Sequence, residues 1–104
     1  MVRTRFHQIA KLGHFKETLE WANELDRLCR KKGLVKTRFL SPAFGKTNHL
    51  IFENEYPDWA AYQKEQNAFF SDLEIMTLFR KGIDFREPGE LPWSEAEEEA
   101  PILA

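Results

Sequence analysis

Thr47-Asn48-His49-Leu50-Ile51-Phe52-Glu53-Asn54-Glu55, followed by Tyr56-Pro57-Asp58 and then Trp59, is the stretch on which the reading of this chain turns. The run is aromatic, β-branched and alternating, which predicts a central strand. Pro57 has no N–H to give a ladder and ends it, and Asp58 is placed to cap a helix that begins at Trp59. Everything else can be arranged as partner or cover for this strand-to-helix unit.

The chain has 104 residues, 42% of them apolar, 31% charged and 13% aromatic, with nine Phe. That is the size of one domain, with more aromatic surface than so short a chain readily buries alone, so a homodimer is expected. Residues 87–104 hold six acids and no Lys or Arg, leaving 15 basic against 11 acidic residues in 1–86. Such a balance lacks the one-sided basic patch of a nucleic-acid binder. Cys29 is the single cysteine, which excludes a disulfide framework and a cysteine-based metal site. The N-terminal residues lack the apolar core of a signal peptide, and no segment approaches the roughly 20 apolar residues of a membrane span, so a cytoplasmic setting without membrane contact is expected.

Residues 2–11 alternate and predict strand one. From Phe15 to Lys32 the apolar positions Phe15, Leu19, Ala22, Leu25 and Cys29 keep a helical period, and Gly33 is the expected stop. Leu34 to Leu40 reads as strand two. Helix two is expected from Asp58 to Phe70, with Trp59, Tyr62, Ala68 and Phe69 inward, and a short helix from Leu73 to Arg80. Gly82 to Arg86 reads as strand four, and Ser94 to Glu99 as an acidic helical turn. The order is βαββαβ over 1–86, then an acidic, Pro-containing tail over 87–104. It predicts an α+β, ferredoxin-like fold: an antiparallel sheet ordered 4-1-3-2 with both helices on one face. The other face is left bare, for a second copy or the tail to cover.

The helix-one stretch Phe15-Lys16-Glu17-Thr18-Leu19-Glu20-Trp21 and the segment from His49 to Phe79 carry a family resemblance. In the latter an apolar strand leads into Glu-x-x-Asp-Trp-Ala-Ala-Tyr (Glu55 to Tyr62), and a short helix follows Ser71-Asp72-Leu73-Glu74. Over residues 2–86 the chain resembles the dimeric α/β barrel superfamily, and is most similar to its NIPSNAP-like and antibiotic-biosynthesis-monooxygenase-like branches. The resemblance implies a homodimer with two facing sheets. Members include haem-degrading and cofactor-free monooxygenases, isomerases, dehydratases and ligand-binding regulators. The haem-degrading members use an Asn in strand one, a Trp in helix two and a His after it. Trp59 matches the Trp, but strand one has no Asn and no His follows His49.

His7 and His49 fall on neighbouring strands. A register in which paired positions sum to 56 sets Phe6 opposite Leu50, Arg3 opposite Glu53 and His7 opposite His49, on the bare face with Arg5, Ile9 and Ile51. The pair is the candidate for acid–base catalysis, against the alternative of polar spacers in a dimer core. Glu53 lies about 13 Å along the strand from His49, at about 3.3 Å per residue, so the two histidines do not gain a third metal ligand there. Trp59 and Tyr62 are candidate walls for a flat ligand, with core packing as the alternative. Arg38, with Arg5 and Arg86, could clamp a carboxylate. Trp93 could anchor the tail to a neighbouring subunit. The expectation is a cofactor-independent monooxygenase or isomerase acting on a small aromatic or polyketide-like molecule, with no cofactor and no metal. Its alternative is a non-catalytic homodimer that binds a small ligand or is purely structural.

Overall fold

Four antiparallel strands in the order β2-β3-β1-β4 form the sheet: β1 (Val2–Ile9), β2 (Arg38–Leu40), β3 (His49–Tyr56) and β4 (Trp93–Glu98). Three helices, α1 (Phe15–Lys31), α2 (Trp59–Ser71) and α3 (Leu73–Lys81), accompany it, and the ferredoxin-like α+β fold expected from the element order is the fold observed. The structure is a computed structural model that describes residues 1–99; positions 100–104 of the expected tail lie outside the described residues.

α1 forms where its period predicts, and Trp21, Ala22, Leu25 and Cys29 bury its inner stripe against Leu50, Phe52, Ile75 and Leu78. Its end is set by Gly33, whose φ of 85° suits a residue without a Cβ, while Leu34 N–H returns to Cys29 O at 3.0 Å. The Asp58 carboxylate accepts from Ala61 N at 2.8 Å and starts α2; Asp72 accepts from Ile75 N at 2.9 Å and starts α3. Trp21 is the tie between layers. Its ring is buried and its Nε1–H donates to Leu78 O at 2.7 Å. Gly82 passes so close that a Cβ there would sit 2.3 Å from the Trp21 ring.

Four expectations need correction. Gly82–Phe85 is a 3-10 turn, because it follows α3 without a break and simply tightens that helix's end. The fourth strand lies further on, at Trp93–Glu98, where a helical turn was expected. Its residues alternate, and Glu95 and Glu97 fall opposite Arg5 and Arg3 of β1, a pairing a helical turn could not make. Strand two shrinks to Arg38–Leu40, because the N–H groups of Val35 and Thr37 are taken at 2.9 Å by the Glu65 and Asp26 carboxylates instead of a strand. Of the four inward residues expected on α2, Tyr62 and Phe69 are half-buried, but Trp59 and Ala68 are exposed.

The β1–β3 register also differs, by two residues. Paired positions sum to 58, so Phe6 faces Phe52, Arg5 faces Glu53 and His7 faces Ile51. The observed alignment gives edge-on Phe6 and Phe52 rings at 5.6 Å and a 3.0 Å Arg5–Glu53 ion pair. An even slip leaves every side chain on its expected face, so the division of the sheet into two faces is unchanged.

Candidate functional site

The helices do not fill the space they enclose. A cavity of about 330 Å³ lies between α1, α2 and the sheet, walled by Phe6, Phe39, Phe52, Phe69 and Phe79 with polar groups at Thr4, Asn54, Tyr56, Tyr62, Glu65 and Gln66. The cause is visible in α2. Its inner stripe is Tyr62, Glu65, Gln66 and Phe69, spaced i, i+3, i+4 and i+7, and no residue of the helix is fully buried. A stripe with two polar residues at its centre cannot close down on an apolar sheet without stranding them, so a gap is left.

The polar groups in that gap are ordered. Gln66 Nε2–H donates to the Tyr62 hydroxyl oxygen at 3.0 Å, and the Tyr56 and Tyr62 rings meet edge-on at 5.4 Å. Burial, reinforced by the charge of Glu65 and a hydrogen bond to it, raises the Tyr56 phenol far above its ordinary range, so it stays a donor. Asp26 is fully engaged: Oδ1 accepts from Thr37 N–H at 2.9 Å and Oδ2 pairs with Arg30 at 3.1 Å. Burial pushes the Cys29 thiol up to about 11, which makes it a small hydrophobe rather than a nucleophile.

The opposite face of the sheet is charged. Arg5 pairs with Glu53 at 3.0 Å and with Glu97 at 3.8 Å, and Arg38 reaches Glu53 at 3.3 Å. Further along, His7 is buried under Trp93, whose ring stacks on the imidazole at 4.5 Å and 4°. His7 Nδ1 lies 2.9 Å from His49 Nε2, and His7 Nε2 is hydrogen-bonded to Glu95. The carboxylate only accepts, so a neutral His7 carries its proton on Nε2 and its Nδ1 accepts from His49. Burial, and then the neighbouring His7 and Lys46, lower the pKa of His49.

The residues singled out in the sequence therefore divide between two places. His7 and His49 touch each other, as a diagonal rather than a directly opposed pair, on the open face; neither lines the cavity. Arg38 stands on that same face at the β2 edge, on Glu53. Tyr62 lines the cavity, while Trp59 stays outside it, 44% exposed, with its indole N–H on Glu98. Trp93 sits on His7 of its own chain. Glu65 and Gln66 were not read from the sequence. The available signal was their place between Tyr62 and Phe69 on one helical stripe, where core packing alone asks for apolar residues. Among the described residues, no group of three or more His, Cys, Asp or Glu is arranged to hold a metal ion, and no helix is long and apolar enough to cross a membrane.

No protein-family model matches this sequence, and no curated protein matches it significantly. Solved structures do. An antibiotic biosynthesis monooxygenase superposes with a TM-score of 0.72 at 16% identity, over 97% of this chain and 100% of its own. A NIPSNAP domain protein from Burkholderia xenovorans gives 0.77 at 13%, over 100% and 99%. A NIPSNAP family protein of unknown function from Agrobacterium tumefaciens gives 0.78 at 12%, over 99% and 91%. The likeness is one of fold, and the fold is the ferredoxin-like one shared by the NIPSNAP and antibiotic-biosynthesis-monooxygenase structures, as the sequence resemblance implies. It spans nearly the whole chain, beyond the 2–86 on which that resemblance rests.

Proposed function

We propose that the protein takes a flat, mostly apolar organic molecule, of small aromatic or polyketide type, into the cavity beneath α2 and carries out cofactor-independent oxygenation or isomerisation on it. The cavity carries the proposal: about 330 Å³, walled by phenylalanines, with its polar groups collected on and beside one helix. That volume and that division of apolar wall and few polar groups are what small-molecule sites have. Solved relatives in fold that are described as antibiotic biosynthesis monooxygenases support the reaction class. His7 and His49 lie on the far face; the acid–base groups that line the cavity on and beside α2 are Glu65, Tyr56 and Tyr62.

The test is a melting-temperature screen of the full chain against naphthols, naphthoquinols and anthrones, followed by oxygen uptake and product analysis for any that bind. Gln66→Trp, which places a large ring in the cavity from a half-buried position, is the control. We expect at least one compound to raise the wild-type midpoint and to lose its effect on Gln66→Trp. If no compound shifts the wild type, or the blocked variant responds equally, the cavity is not the site. Binding without turnover would favour the non-catalytic ligand-binding alternative.

The same reading includes a second copy of the chain over the open face of the sheet, where Leu40, Ile51 and Trp93 remain partly exposed among the ion pairs. Native mass spectrometry should give twice the chain mass. A monomer at all concentrations would remove the partner.

A further inference from the structure

We propose that Glu65 is the proton acceptor of the cavity and Tyr62 the hydrogen-bond donor to the same ligand atom, so that the molecule taken is a phenol or enol with its acidic hydroxyl at the α2 end. This rests on the cavity being a ligand site and adds what the ligand must carry.

Three acidic residues border the cavity, and their surroundings separate their roles: Glu95 turns its carboxylate to His7 on the other face of the sheet, which leaves Asp26 and Glu65. Asp26 has an N–H on one oxygen and the Arg30 guanidinium on the other, so it is occupied in holding the chain between α1 and β2. Glu65 is held by one backbone N–H, from Val35 to Oε1 at 2.9 Å, and among the described residues no Lys or Arg reaches it. A fixed carboxylate with spare lone pairs, beside apolar walls and without a cation, is equipped to take a proton. One helical turn away, the Tyr62 oxygen already accepts from Gln66, which leaves its own O–H to donate. In the step itself the ligand O–H bond breaks, its proton goes to Glu65, and the bonding pair remains on the ligand oxygen as an oxyanion that Tyr62 stabilises. The combined charge of ligand and Glu65 stays the same. Oxygenation and isomerisation of a phenol or enol can both begin from that anion.

The experiment uses 4-nitrophenol, whose anion is coloured and whose neutral form is not, with 4-nitroanisole as the analogue lacking the hydroxyl. An ionised Glu65 facing the bound hydroxyl shares its proton and opposes the loss of that proton to solvent, which would leave two negative charges side by side, so the apparent pKa of bound nitrophenol on the wild type should lie about one unit above that of the free dye. Glu65→Gln keeps an oxygen for Val35 N–H and loses the charge; it should abolish that rise while leaving the melting temperature near the wild-type value. Tyr62→Phe should weaken nitrophenol binding about tenfold, one hydrogen bond's worth. Equal dye pKa values on the wild type and Glu65→Gln would overturn the assignment of Glu65. Binding of nitroanisole but not nitrophenol would overturn the ligand class and leave the cavity standing. Failure of both to bind would overturn the cavity reading and this proposal together.

Discussion

The two faces of the sheet are built by the same strands in alternation, yet they solve opposite problems. Beneath the helices, Val2, Phe6, Leu50, Phe52 and Tyr56 meet a helical layer that is anchored by Trp21 and stands off at α2. On the open face, Arg3, Arg5 and His7 of β1 stand between Glu53 and Glu55 on one side and Glu95 and Glu97 on the other. One face has more apolar wall than it can pack; the other has more charge than a protein surface needs, nearly all of it paired. In this fold, stability should therefore come from the α1 side of the helical face and the alignment of the strands from the charged face, while the proposed ligand site lies on the α2 side.

The largest effect expected follows from Trp21. Truncation to Ala removes the ring that packs against Phe52, Phe79 and Gly82 together with the hydrogen bond to Leu78 O, and should destabilise the protein by about 3–5 kcal/mol in urea unfolding. Gly82→Ala attacks the same contact from the other side. Its Cβ falls 2.3 Å from the indole and should lower stability by about 1–3 kcal/mol. A loss below that range for both variants would mean that the layers are held elsewhere, and the contrast between the α1 and α2 sides would fail.

On the charged face the comparable residue is Glu53, buried to 3% exposure between Arg5 and Arg38. The hydrogen bond to Glu53 raises the Arg5 pKa, which marks the pair as favourable to the charged form. Removing one member of a buried pair can destabilise by several kcal/mol, but the Arg5 side chain is 32% exposed and can turn to water or to Glu97. Glu53→Gln should therefore lose about 1–3 kcal/mol, with little relief from added salt because the site is covered. A loss that vanishes in salt would place this pair among surface contacts.

How far the sequence carried this division can be read residue by residue. The strand around His49–Tyr56, its stop at Pro57, the Asp58 cap and the apolar stripe of α1 were legible because each is fixed by local chemistry. The faces were legible too, since alternation decides them and a slip of two does not disturb it. Register was not legible, because two alignments both pair large apolar residues and opposite charges, and only the fit of Phe6 on Phe52 separates them. Strand four was missed because consecutive glutamates look like a helix turn until Arg3 and Arg5 are known to lie beside them. On the site, His7 and His49 were correctly expected to share a face, whereas Glu65 and Gln66 were hidden by the habit of reading polar helix residues as solvated.

The histidine pair gives a pH test of the open face. Folding lowers the His49 pKa below its ordinary 6.5 through burial and the neighbouring His7 and Lys46. The unfolded chain then binds more protons than the folded one as pH falls below 6.5, so His49 contributes a loss of stability that grows through that window and is absent above it. Urea midpoints should fall from pH 7.5 toward pH 5.5, and His49→Gln, which can still donate to His7, should flatten part of the slope. An unchanged slope in the variant would show that the His49 imidazole is as easily protonated folded as unfolded.

The smallest effect expected belongs to the outermost rung. Arg3 approaches Glu55 at 3.9 Å with both side chains about two-fifths exposed, so the pair is weak by distance and by solvent. Arg3 also leaves its Nε buried without a hydrogen-bond partner among the described residues, a penalty that the long ion pair offsets poorly. The two terms oppose each other. Arg3→Ala should change stability by less than about 0.5 kcal/mol in either direction, and whatever contribution remains should disappear in high salt. Set beside Glu53→Gln, the variant contrasts a close, covered rung with a longer one at the rim of the same strands. Equal losses for the two variants would mean that neither distance nor burial governs the strength of this ladder.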